Sequence, residues 1–403
     1  MKQLTLLIAL ALLFGAGSCE DENPVPDFDV PDTYRFERAG QSTVSFDGQT
    51  TRLHMGEELA RALTDFERTE ADLLELFANQ TADGGDADPY TDAALNASTK
   101  SIRSKTAASQ DYFAANTVAS AAIRGDFEAW IAGQVNEVFP AENELAAPGQ
   151  AGQIADGSSV RYVNARGLEY DQMVVKGLIG ALVVDQMLNN YLSTSVLDAG
   201  DNRDENDRAV TADGASYTTM EHKWDEAYGY LYGRSADPAD PNDDLGADSY
   251  LNKYLGRVVG DDDFADYDQQ IFDALKRGRA AIVAGDYAER DRQADVVRER
   301  VSEIVGIRAV YYLQQGKTNF ANGDTGAAFH DLSEGYGFIY SLMFTRQPGT
   351  DGPYFTKAET EALLADLMDD GANGLWDVTA ATLDDLAEQI ADRFEFSLEQ
   401  AAN

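Results

Sequence analysis

The sequence predicts an all-α protein made of two related antiparallel helical bundles, repeated within one chain and preceded by a small N-terminal β-hairpin. Three observations predict it. From Met55 onward, apolar residues such as Leu59, Leu63, Phe66, Leu73, Leu74 and Phe77 recur at three- and four-residue steps with acidic residues between them, the period of an amphipathic helix. Loops rich in Gly, Pro and Asp separate the periodic stretches. One helical phrase is written twice: His222-Lys223-Trp224-Asp225-Glu226-Ala227-Tyr228-Gly229-Tyr230-Leu231-Tyr232 returns as His330-Asp331-Leu332-Ser333-Glu334-Gly335-Tyr336-Gly337-Phe338-Ile339-Tyr340. Such self-similarity marks a duplicated structural unit.

Met1 to Ser18 reads as a secretory signal, with a lysine near the start, the apolar run Leu4 to Phe14 and the small residues Gly15-Ala16-Gly17-Ser18 before Cys19. Cys19 is the single cysteine, which argues against a disulfide scaffold and places a thiol at the first position after cleavage. The arrangement resembles a bacterial lipoprotein signal whose cysteine is lipidated, with Ala16 where a branched residue is usual. Acidic residues after the cysteine, Glu20-Asp21-Glu22, resemble a surface-export signal of Bacteroidetes lipoproteins. The expected location is the outer membrane, on its outer surface or facing the periplasm. The membrane is then a partner only through the anchor on Cys19.

Residues 19–32, acidic and interrupted by Pro24, Pro26 and Pro31, suit a flexible tether. The body follows at 33–403. Tyr34 to Arg38 and Thr43 to Phe46 alternate apolar and polar side chains, and with the Asp47-Gly48 turn and Thr50 to Leu53 they read as a hairpin or small meander. After the helical stretch beginning at Met55, helices are expected at about 97–114, 117–138, 167–194, 217–233, 249–258, 264–284, 286–315, 319–345, 357–369 and 379–396. The longest loops fall at about 139–160, 195–216 and 234–248. Val175-Lys176-Gly177-Leu178-Ile179-Gly180 resembles Val301-Ser302-Glu303-Ile304-Val305-Gly306, each upstream of a histidine phrase. Repeat halves at about 161–260 and 264–346 would each be a long helix, a connection and a histidine helix, paired about a pseudo-twofold axis.

A formal charge of −40, from 71 acidic and 31 basic residues spread along the chain, repels nucleic acid and anionic lipid surfaces. Adaptation to high salt is the simplest source of that acidity. The most apolar internal segment, Met173 to Met187, contains Lys176 and Asp185 and is no membrane span.

The candidate site follows from spacing. Residues i and i+4 share a helix face, so His222 lies beside Asp225 and Glu226, and His330 beside Glu334. If the two helices cross, four groups converge on one metal; Gly229 and Gly337, seven residues after each histidine, would permit the close approach. His54, with Glu58 four residues on, repeats the pattern. Histidines with carboxylates suit zinc or iron. The competing reading is structural: such pairs are also ordinary hydrogen-bonded packing, and the tyrosines of the phrase suit a core. Neither His-Glu-x-x-His nor Gly-x-Ser-x-Gly occurs, so those hydrolase classes are unsupported. The loop Asp237 to Gly246 has closely spaced oxygen ligands but not the order of a calcium-binding EF-hand, which makes calcium the weaker cation.

Tyr34-Arg35-Phe36-Glu37-Arg38, Ser42-Thr43-Val44, Gly48-Gln49-Thr50-Thr51-Arg52-Leu53 and above all Met220-Glu221-His222-Lys223-Trp224-Asp225-Glu226-Ala227-Tyr228-Gly229-Tyr230 resemble the DUF4856 family of Bacteroidetes lipoproteins over most of the mature chain. More distantly, the architecture is similar to imelysin-like proteins, two helical bundles with a Gly-x-His-x-x-Glu metal-associated motif. Here Met220 and Ala328 replace the glycine, and Asp225 and Ser333 stand where the glutamate would be, with Glu226 and Glu334 one step later. That similarity implies a link to iron uptake, with an outer-membrane uptake receptor as partner.

The expected function is therefore a non-enzymatic lipoprotein that binds a metal or metal-containing ligand, with iron or zinc held by His222, Asp225, Glu226, His330, Glu334 and His54. Its rivals are a metallopeptidase-like hydrolase and a structural or partner-binding lipoprotein without metal.

Overall fold

A computed structural model describes residues 28–403; the expected signal peptide, Cys19 and most of the tether lie outside the described residues. The architecture is all-α, as expected, with one apolar core running from Tyr34 to Ala401. At its centre stands the 35-residue helix Tyr287–Ala321, flanked by Tyr267–Ala284 and Thr325–Ser341 and covered along another side by Ala380–Ala391.

The first three of these helices are antiparallel because their connections are too short for anything else, Gly285-Asp286 and Asn322-Gly323-Asp324. Both turns use the same chemistry. Gly285 and Gly323 sit at φ +73° and +78°, where a side chain would be strained. Asp286 and Asp324 then accept the N–H groups of Glu289 and Ala327 to start the next helix.

A second layer, Tyr170–Leu178 continued by π-helical turns Ile179–Val184 and Met187–Tyr191, packs on Thr325–Ser341. Glycine governs that contact: a Cβ on Gly337 would overlap Lys176, and one on Gly180 would overlap Ser341. Thr117–Gly133, Glu70–Ala78 and Asp47–Ala62 extend the body on the far side, and Thr219–Tyr232 leans on Asp47–Ala62 and Tyr267–Ala284. Among the described residues no helix is long and apolar enough to cross a membrane.

The expected hairpin is present but shorter. Glu37–Arg38 pairs with Gln41–Ser42 through a tight turn at Ala39-Gly40, both at positive φ. Thr50 to Leu53 is not a strand: it belongs to the helix Asp47–Ala62, where Leu53 is fully buried and Met55, Leu59 and Ala62 are buried at four- and three-residue steps. A second hairpin, Gly152–Asp156 with Ser159–Val163, occupies what reads in sequence as loop. Its signal was available, since Ile154 and then Val160 and Tyr162 alternate about an Asp156-Gly157 turn.

The stretch 97–114 contains only the short helix Gln110–Phe113, because the side chains of Ser98, Ser101 and Thr106 bond the backbone of turns there. The long helix continues past residue 315 to Ala321, and the next begins at Thr325, where Asp324 supplies the cap. The two segments likened to each other at 175–180 and 301–306 have different surroundings. Gly180 abuts Ser341, whereas Gly306 abuts Phe394.

Candidate functional site

The first phrase lies on the helix Thr219–Tyr232, opened by a reciprocal cap in which Thr218 accepts the Glu221 N–H and Glu221 accepts the Thr218 N–H. Asp225 is wholly buried and accepts from Tyr34 OH at 2.8 Å, Arg279 Nε at 3.0 Å and the Ser45 N–H at 3.3 Å. Glu221 takes both arms of Arg38 at 2.9 Å and Arg279 Nη1 at 3.1 Å. The remaining Arg279 nitrogen donates to Thr43 Oγ1 at 3.0 Å. Every nitrogen of this fully buried guanidinium is thus satisfied, and the cluster fastens the N-terminal segment to the body.

His222 holds the Ser45 carbonyl through Nδ1 at 3.0 Å and stacks on Tyr217, ring centres 4.6 Å apart. Burial depresses its pKa, and the nearby Glu226 charge restores only part. Glu226 is engaged by Lys223 at 2.6 Å and Gln49 at 3.0 Å. Gly229 does mark a close approach, but to Phe46 and Gln49.

The second phrase lies on Thr325–Ser341 and meets other partners. His330 Nδ1 is 2.8 Å from Glu169 Oε2; its other ring nitrogen has no protein partner among the described residues. Burial pulls the His330 pKa down, but the Glu169 hydrogen bond and charge, with Glu334 behind them, more than reverse this and leave it raised. Glu334 is 3.0 Å from Lys176 and 3.4 Å from Tyr254 OH. Burial would raise its pKa, yet Lys176 and then His330 hold it down at about 2. Ser333, at the position of Asp225, donates to the Phe329 carbonyl and accepts the Glu169 N–H, so it seats the start of the Tyr170 helix against the histidine.

The convergence expected from the sequence is not what the structure shows. His222 and His330 share no partner, and the two helices do not pack face to face; each glycine of the phrase meets a different element. His54 is on a third helix, 3.8 Å from Asp92, while Glu58 is consumed by Thr91 and the Asp92 N–H. Among the described residues, no group of three His, Cys, Asp or Glu side chains is placed to hold an ion, the Asp237 to Gly246 loop included. Asp225 fails as a ligand for a specific reason: its lone pairs already take three donors inside the core.

What the second phrase does face is a cleft of about 810 Å³ between Leu251–Val258, the long helix and its own helix. His330, Asp331 and Glu334 form one wall; Lys253, Arg257, Arg308, Tyr311 and Tyr312 line much of the rest, together with Asp261 and Asp262. A larger concavity of about 1080 Å³ lies over the loops near Thr81 and Lys100, remote from either phrase. Its walls hold loop hydroxyls and amides, and its Arg103 is already paired with Glu128 at 2.6 Å, so the cleft at His330 is the better candidate.

Sequence reasoning missed Glu169, Lys176, Lys253 and Arg308. Two of them carried a readable signal. Lys176 and Arg308 are lone basic residues inside apolar helical runs, Met173 to Leu178 and Ile304 to Val310, which obliges each to find a buried partner or a cavity.

A family model described as "Domain of unknown function (DUF4856)" matches residues 31–397. No curated protein and no solved structure matches the chain.

Proposed function

This chain belongs to the DUF4856 family, and from that premise we propose that it is a lipid-anchored, non-enzymatic binding protein of the cell surface or periplasm, which captures a metal-containing ligand for uptake in the cleft beside His330. The observation that carries the reading is the contrast between that open cleft and the missing ion cage. With no set of ligating groups assembled among the described residues, a metal would arrive inside an organic chelate, and the protein would recognise the chelate. A cleft of this size, walled by tyrosines with a few converging charges, has the make-up of a small-molecule site.

The apolar run Leu4 to Phe14 ahead of Cys19 supports the anchor. The cleft wall has no serine, threonine or cysteine, so an acyl-enzyme mechanism on such a nucleophile has no support there. Glu169 behind His330 has the geometry of an acid–base pair, which keeps a hydrolase as the second reading.

Calorimetry on the purified protein tests the proposal. Ferric citrate is expected to bind saturably, and ferric or zinc ion alone is not. Stoichiometric binding of the bare ion, abolished by His222→Ala with His330→Ala, would overturn the chelate reading; no binding of any iron chelate would overturn the uptake role.

A further inference from the structure

Arg308 is 6% exposed, yet among the described residues it has no ion pair and its Nε has no hydrogen-bond acceptor. Its guanidinium stacks on aromatic rings: the central carbon lies 3.8 Å from the ring centre of Tyr311 and 4.6 Å from that of Tyr312. Stacking offsets part of the desolvation of a guanidinium but leaves its edge donors, which lie in the ring plane, without acceptors. A buried, unpaired arginine is costly. In a chain with more than twice as many acidic as basic residues, no carboxylate among the described residues lies within ion-pair distance of it.

Two further cations share the cleft without ion pairs of their own, Lys253 and Arg257. Burial and then the positive charge of Lys176 depress the Lys253 pKa; Glu334 opposes this, and Arg257 and Arg308 add to the depression. Of the four acidic residues of the wall, Asp261, Asp262, Asp331 and Glu334, none is within ion-pair distance of Lys253, Arg257 or Arg308 among the described residues. Glu334 is committed to Lys176 at 3.0 Å, Asp331 accepts from Asn319 at 2.7 Å, and Asp261 accepts the Asp263 N–H at 3.0 Å.

We infer that this cleft binds an oligoanion, a small molecule bearing two or more carboxylate or phosphate groups, with Arg308 as the fork that receives one of them and Lys253 and Arg257 as the charges that receive the next. This assignment rests on the cleft being a ligand site and names the chemistry it selects. Arginine is suited to it because its fixed fork matches both carboxylate and phosphate oxygens. Within a protein of charge −40 an anion would otherwise be repelled, so the binding would rest on the buried Arg308, with half-buried Lys253 and exposed Arg257 beside it.

The test uses metal-free citrate and metal-free pyrophosphate against the purified protein, with chloride at matched ionic strength as the control. At least one of the two is expected to bind saturably and raise the melting temperature; which one does separates a polycarboxylate from a phosphate ligand. Arg308→Gln is expected to weaken that binding by about tenfold or more, the worth of one charge-assisted fork, while leaving the unliganded melting temperature unchanged or higher. Lys253→Gln gives a smaller loss, about threefold, and decides the matter should the Arg308 variant not fold. The inference is overturned if neither anion binds beyond chloride, or if affinity is the same in the variants. Anion binding with no affinity for any iron chelate would remove the uptake role and leave the oligoanion site; chelate binding unaltered by Arg308→Gln would do the reverse.

Discussion

Arg279 and Arg308 are both buried arginines on neighbouring helices of the central trio, and they differ in everything that decides what a buried charge does. Arg279 has two carboxylates and a hydroxyl, one acceptor or more for each nitrogen, and ties Thr43 and Tyr34's partner Asp225 to the body. Arg308 has tyrosine faces and an open cleft. The first is a completed internal salt cluster, the second an incomplete one with room for a ligand. The two histidine phrases differ in a related way: the carboxylates of the first, Asp225 and Glu226, are filled by protein donors, whereas His330 and Glu334 of the second border an open cleft. Chemical similarity in sequence therefore does not carry similarity of role; what carries it is which donors and acceptors remain unspent.

The largest expected effect tests that split directly. Arg279→Ala strands Asp225 and Glu221 in the core and should cost about 3–5 kcal/mol by denaturant unfolding, whereas Arg308→Gln should stay within about 1 kcal/mol of the parent. Equal losses at the two sites would erase the distinction. Next in size is Gly337→Ala, whose methyl would overlap Lys176 and crowd the Gly177 backbone, with an expected cost of about 1–3 kcal/mol in the same measurement. A wild-type value would mean that the Tyr170 helix is free to shift away.

The histidines should then respond to pH with opposite sign. The folded pKa of His330 is raised, so the stability from its pairing with Glu169 is present in full below its ordinary value of about 6.5 and is lost as pH rises through the raised value. The folded pKa of His222 is lowered, so its burial costs nothing at neutral pH and becomes a penalty as pH falls below about 6.5, where the unfolded chain takes the proton first. His330→Gln should accordingly hurt more at pH 5.5 than at pH 8, and His222→Gln less, in urea midpoints measured across that range. Parallel pH curves for the two variants would contradict the different environments assigned to them. The smallest effect is expected at His54, partly exposed and 3.8 Å from Asp92, where His54→Ala should change stability by no more than about 0.5 kcal/mol.

The helical class and most long helices were legible because their burial follows helical periodicity, and DUF4856 membership was legible in the Met220 to Tyr230 segment. The glycines of the repeated phrase were correctly read as points of close approach, though the approaching elements are Phe46 and Lys176 and not each other. Spacing along one helix reports which side chains share a face; it is silent on what that face meets. That is why His222 and His330 read as one site and stand in two. Arg308 could be suspected from its apolar neighbours, but the absence of its counter-charge is a fact about three helices at once.

The turns Gly285-Asp286 and Asn322-Gly323-Asp324 have a kinetic consequence. They make the three helices from Tyr267 to Ser341 a set of nearest neighbours in sequence, able to zip together without closing a long loop. The N-terminal segment has the opposite task, because Tyr34 must find Asp225 across 191 residues and Thr43 must find Arg279 across 236. On loop-closure entropy alone, the three-helix set is expected to form first and the N-terminal segment to lock onto it afterwards.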